Sequence, residues 1–124
     1  MGGKASRDKG NRVEREIVKW LSDAGIPSKR QVGSGAHSRF DPRLENDIRV
    51  GLRPDPHAKS LFIAEAKGRK PSQVRWRTIE KWLGDNDLLF LREDRKAPLV
   101  VCSGEVALRL LQTYYRTQME LEDV

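Results

Sequence analysis

Apolar residues recur at helical spacing through Val13, Ile17, Trp20, Leu21 and Ala24, and Gly25 supplies a stop, so the chain's first regular element is a helix. Pro27 to Val32 suits a short strand, and Gly33 to Leu44, punctuated by glycine, serine and Asp41-Pro42, reads as a loop. Strands follow at Asp47 to Val50 and Leu61 to Lys67. Between them lies an excursion, Gly51 to Ser60, whose Arg53-Pro54-Asp55-Pro56 stretch lacks the backbone donors of a central strand. Pro71 and Ser72 open a second helix carried by Trp76, Ile79, Trp82 and Leu83 and closed near Gly84. Leu88 to Leu91 and Leu99 to Cys102 give two more strands around the charged turn Arg92 to Lys96, and a last helix runs from Gly104 to about Tyr115. Residues 1–7 read as a flexible basic arm and residues 116–124 as a frayed tail. The order α, β, β, β, α, β, β, α predicts an α/β fold with a mixed central sheet flanked by helices, in one domain over residues 1–124.

Composition sharpens this picture in two ways. Lys plus Arg number 24 against 18 Asp plus Glu, a net charge of +6 and a pI near 9.8, which favours a polyanionic partner such as nucleic acid. Cys102 is the sole cysteine and sits in an apolar run, which predicts a buried thiol and no disulfide. With only His37 and His57 beside it, a zinc site of Cys and His ligands is excluded, and any metal would be a hard cation held by carboxylates. No stretch approaches the length of a membrane span and no apolar leader opens the chain, so a cytoplasmic protein is expected.

The candidate chemistry centres on Leu61 to Lys67. In a strand, alternate side chains share a face, so Glu65 and Lys67 project side by side while Phe62, Ala64 and Ala66 pack on the other face. A Glu-x-Lys pair alone is ordinarily a solvated strand face. Asp47, at the head of the neighbouring strand Asp47 to Val50, raises its weight by bringing a second carboxylate beside Glu65, and two hard oxygens with phosphate and water are what Mg²⁺ uses. Glu14, at the border of the first helix's apolar stripe, is a third acid able to lean over the sheet.

These residues carry a resemblance. Lys9-Gly10-Asn11-Arg12-Val13-Glu14-Arg15-Glu16-Ile17 resembles the opening helix of archaeal-type Holliday junction resolvases, nucleases of the restriction-endonuclease-like PD-(D/E)xK kind with phage and other prokaryotic versions. Gly33-Ser34-Gly35 resembles their glycine-serine loop, Asp47-Ile48 their metal-binding aspartate, and Glu65-Ala66-Lys67 their E-x-K, in the family's order. The resemblance implies a homodimer that binds a four-way DNA junction and nicks two opposing strands with Mg²⁺, for which Mn²⁺ would substitute. It implies that Glu14, Asp47 and Glu65 hold metal, that Lys67 orients or activates the attacking water, that Ser34 lies close by, and that Arg15 contacts phosphate. Lys9, Arg12, Arg39, Arg69 and Lys70 would join Arg15 in tracking the DNA backbone.

The chain departs from the pattern at Asn46, where the motif has proline, and in a longer gap between Asp47 and Glu65. Pro54-Asp55 offers a rival acid. Asp47 is preferred, because Asp55 is pinned between two prolines while Asp47 leads a β-branched run. Leu88 to Leu91 and the helix around Trp76 and Trp82 are candidate dimer contacts, with a role in the core favoured for each taken alone. The alternatives are a restriction-like or repair nuclease acting on other DNA, and a DNA-binding protein without catalysis.

Overall fold

The structure is a computed structural model describing residues 3–31, 48–51 and 60–122, with side chains from Asp8 onward. It contains α1 (Gly3–Asp23), β1 (Ser28–Arg30), β2 (Ile48–Val50), β3 (Phe62–Gly68), a 3-10 turn at Pro71–Gln73, α2 (Trp76–Leu83), β4 (Leu88–Arg92), β5 (Leu99–Val101) and α3 (Gly104–Glu122). The expected order of elements holds. The strands form one five-stranded sheet in the order β1-β2-β3-β4-β5. β3 and β4 run parallel and the other neighbours antiparallel, so the sheet is mixed as expected. Parallel neighbours need a crossover connection, and α2, which packs against both β3 and β4, supplies it.

The apolar stripe of α1 sets the core. Val13, Ile17 and Leu21 pack with Ile48 and Val50 of β2, Ala64 and Ala66 of β3, Leu88 and Phe90 of β4, and Val106 of α3. Strand alternation sends Leu89, also buried, to the opposite face, together with Ile63, Glu65 and Lys67. Trp20 meets the Phe90 ring edge-on, at 6.4 Å between centroids. α1 stops as expected at Gly25, whose φ of +86° turns the chain so that the Ile26 N–H donates to the Leu21 carbonyl at 3.0 Å.

Several boundaries differ from expectation. α1 already begins at Gly3, so Gly3 to Arg7 are helical rather than an irregular arm, because Lys4, Ala5 and Arg7 are strong helix formers with no proline among them. α3 likewise runs through Glu122 instead of ending near Tyr115, since Thr113 to Glu122 contains neither glycine nor proline. Pro71 starts a separate 3-10 turn, held by the Lys70 N–H donating to Gln73 Oε1 at 3.1 Å, and Val74 and Arg75 are extended before α2 begins at Trp76. Cys102 lies just past β5, half-buried against the core. Leu88, Leu89 and Phe90 are buried inside the subunit and are therefore not free to form a dimer contact.

Candidate active site

Glu14 follows Val13 on α1, one residue round the helix from the core. α1 approaches β3 so closely that a Cβ on Gly68 would lie 2.7 Å from Val13 Cγ2, so only glycine fits there. That approach carries Glu14 down beside the end of β3. Burial raises the pKa of Glu14, and a hydrogen bond with Arg30, the Arg30 charge, and the charges of Lys67 and Arg15 oppose the rise. Arg30, at the end of β1, donates from Nε to Glu14 Oε2 at 2.9 Å and from a terminal nitrogen to Asn11 Oδ1 at 2.8 Å. Both members of the ion pair are largely buried, their side chains 17% and 8% exposed for Arg30 and Glu14. A guanidinium held at two points fixes where the carboxylate points.

β3 brings the other half of the site. Among the described residues its ladder with β2 ends at the pair Ile48↔Ala64, while its ladder with β4 continues to Gly68↔Arg92. Glu65 to Gly68 have β4 along one edge and also line a cleft of about 280 Å³ whose walls include Glu14, Gly10 and Gln73. Burial is the main cause of a raised Glu65 pKa, and the nearby Glu14 charge adds to it, against the lowering effects of Lys67 and of the Ala66 N–H that donates to Glu65 Oε1 at 3.0 Å. Two desolvated carboxylates that repel each other, each felt by the Lys67 charge, form a donor set of hard oxygens whose repulsion a divalent cation would relieve. Among the described residues, no three of His, Cys, Asp and Glu come together as a metal-binding group. The third expected acid, Asp47, lies outside the described residues, as do Ser34, Arg39 and the rival Asp55.

The expected basic residues divide. Lys9 and Arg69 line the cleft and, with Lys70, a second depression of about 600 Å³ that continues past Gly68 to Ser72 and Arg92. The Arg69 guanidinium lies over the Trp82 ring at 5.2 Å, which steadies it at the cleft mouth. Arg12 is exposed and 3.9 Å from Glu16 one turn along α1, Arg15 is exposed, and neither is among the residues lining the cleft. Sequence reasoning missed Asn11, Arg30 and Gln73. Arg30 sits in a three-residue strand with no motif around it, and only folding brings it beside Glu14.

The family model described as archaeal Holliday junction resolvase (Hjc) matches residues 5–80, a span holding all but the first two residues of α1, the first three strands and both halves of the cleft. No curated protein and no solved structure matches the chain significantly. The mixed sheet with its flanking helices is consistent with the restriction-endonuclease-like fold of that family.

Proposed function

The chain belongs to the family of archaeal Holliday junction resolvases, and from that premise we propose that it resolves four-way DNA junctions by paired, metal-dependent nicks. The observation that carries the reading is the meeting of Glu14, Glu65 and Lys67 in one cleft bordered by Lys9 and Arg69. A protein that only bound phosphates would gain nothing from two carboxylates on the DNA path.

In this reading Glu14 and Glu65 hold a divalent cation together with Asp47, which immediately precedes Ile48, the residue paired with Ala64 next to Glu65. Mg²⁺, or Mn²⁺ in its place, would polarise the scissile phosphate and lower the pKa of the attacking water. Arg30 opposes the rise that burial gives the Glu14 pKa and aims its carboxylate. The Lys67 ammonium would stabilise charge that builds on the phosphate, with Ser34 assigned a supporting role there by the family resemblance. Lys9, Arg69 and Lys70 hold the DNA backbone around the cleft, joined by Arg12, Arg15 and Arg39, and contact phosphate rather than bases. Two such sites in a homodimer would cut opposing strands of a two-fold junction. Its place of work is the cytoplasm, and no described helix is long and apolar enough to cross a membrane.

The test is incubation with an immobile four-way junction and a linear duplex of matched length, with and without Mg²⁺, alongside Asp47→Asn and Asp55→Asn. The expected result is junction cleavage that requires the metal, lost in Asp47→Asn with junction binding retained, and kept in Asp55→Asn. Equal cutting of both substrates would make the protein a nuclease of other specificity. Activity in Asp47→Asn and none in Asp55→Asn would transfer the metal site to Asp55.

A further inference from the structure

Trp76 is 78% exposed, more than any other large apolar residue among those described. The other two tryptophans are occupied: Trp20 meets the Phe90 ring edge-on, and Trp82 has the Arg69 guanidinium over its face at 5.2 Å. Among the described residues Trp76 has neither kind of partner. Ile79 and Leu83, three and seven residues on, are half-buried, so Trp76 continues the inward stripe of α2 to its first residue, where the sheet no longer covers it. That end of α2 is the cleft end. The chain leaves β3 at Gly68, on the cleft wall, and α2 carries it back to the start of the parallel strand β4. Gln73, also on the cleft wall, is three residues before Trp76, and Val74 and Arg75 between them are extended. Three residues of extended chain span at most about 11 Å. The segment is also basic throughout: Lys67, Arg69, Lys70, Arg75 and Arg77 are its charged residues, and the first acid after Glu65 is Glu80. The exposed apolar side chains of α3, by contrast, stand among Glu105, Arg109, Arg116 and Glu120, whose mixed signs select no partner.

We propose that the Trp76 indole is a stacking platform for a nucleobase that has left the helical stack beside the cleft, so that this residue favours branched or frayed DNA over continuous duplex. An exposed aromatic ring among cations is the combination that holds unpaired nucleic acid, the cations following phosphates while the ring takes the face of a base. In a continuous duplex every base is covered by its neighbours and offers no face. At a branch point that stacking is interrupted. The reach of about 11 Å between Gln73 and Trp76 corresponds to about three base steps of 3.4 Å, which sets a base on Trp76 within a few nucleotides of a phosphate in the cleft. A protein partner would find a single ring in a field of positive charge, whereas DNA supplies both the π face and the negative charge. The inference rests on the proposed function for the presence of DNA in the cleft. What it adds is a feature of that DNA, an unstacked base, and the residue that detects it.

Binding in chelator, where a metal-dependent nuclease cuts nothing, tests it. The probes are a four-way junction with 2-aminopurine at its branch point and a continuous duplex of matched length with the same fluorophore at its centre. At saturating protein the branch-point fluorophore is expected to be dimmer in the wild-type complex than in the Trp76→Ala complex, because an indole stacked on the base quenches it. The ratio of junction to duplex affinity is expected to fall by about tenfold in Trp76→Ala and to recover for the most part in Trp76→Phe, which keeps an aromatic face. Sedimentation and circular dichroism of each variant accompany the titrations. A wild type that binds both DNAs equally, a Trp76→Ala complex as dim as the wild type, an unchanged affinity ratio, or a loss that Trp76→Phe does not restore overturns the proposal. So does a Trp76→Ala protein that unfolds or sediments at a lower mass than the wild type, since the residue would then belong to the core or to a subunit contact. Because binding is read without cleavage, these outcomes are independent of whether the protein cuts junctions, which the assay in Mg²⁺ decides.

Discussion

The carboxylates of the cleft are held at a cost to the folded protein, and that cost is measurable. Burial raises the Glu65 pKa above its ordinary value of 4.5. A raised folded-state pKa favours folding fully below the unfolded value, and that contribution is lost as pH rises through the folded value. Without metal, the wild type should therefore lose stability relative to Glu65→Gln as pH climbs above about 4.5, and the two should converge at lower pH. Thermal melts from pH 4 to pH 8 in chelator check this, and a Glu65→Gln protein melting below wild type at pH 8 would refute it. The same variant should lose cleavage by about 100-fold or more. Arg30 acts in the other direction. Removing one member of a buried pair strands the other charge, so Arg30→Ala should destabilise by about 3 kcal/mol. Arg30→Met with Glu14→Gln should cost less than Arg30→Ala alone, and denaturant melts of the variants measure the difference.

At the scale of elements, the site depends on how closely α1 lies on β3. Gly68→Ala would push a methyl to 2.7 Å from Val13 Cγ2, so it should destabilise by about 1–3 kcal/mol and displace Glu14 from Glu65. Gly10, in mid-helix with nothing within 4 Å of a would-be Cβ, should behave oppositely: Gly10→Ala should stabilise by about 0.5–1 kcal/mol. Yet Gly10 lines the cleft, where a bare helix backbone lets DNA come close, so that stabler variant should cut more slowly. Melting and single-turnover cleavage of both variants separate the two effects. The contrast also explains what could be read from the chain alone. The alternation in Phe62 to Lys67 and the stripe Val13, Ile17, Leu21 are local periodicities, and they placed Glu14, Glu65 and Lys67 on the right elements. The Arg30 contact and the fit of Val13 over Gly68 are products of tertiary approach between distant segments, for which no local pattern exists. The extra turns of α1 and α3 follow from intrinsic propensity where no core contact sets a limit.

For the whole molecule, the net charge of +6 guarantees attraction to any DNA, which makes low-salt binding uninformative about specificity. Each phosphate neutralised releases counterions, so raising salt weakens that general term for junction and duplex alike. What persists is geometry. In the proposed homodimer two clefts, each flanked by Lys9, Arg69 and Lys70, would engage opposed arms of a junction together, whereas a straight duplex of the same length presents only one arm to them. The ratio of junction to duplex cleavage in Mg²⁺ should therefore grow by about tenfold or more between roughly 50 and 200 mM salt. Lys70→Ala should weaken binding to both substrates about equally and flatten the salt dependence by about one unit of log–log slope, because it deletes a phosphate contact without touching the second site. A ratio that stays flat across the salt series for the wild type would detach the cleft's chemistry from junction recognition and leave a nuclease that selects its DNA by other means.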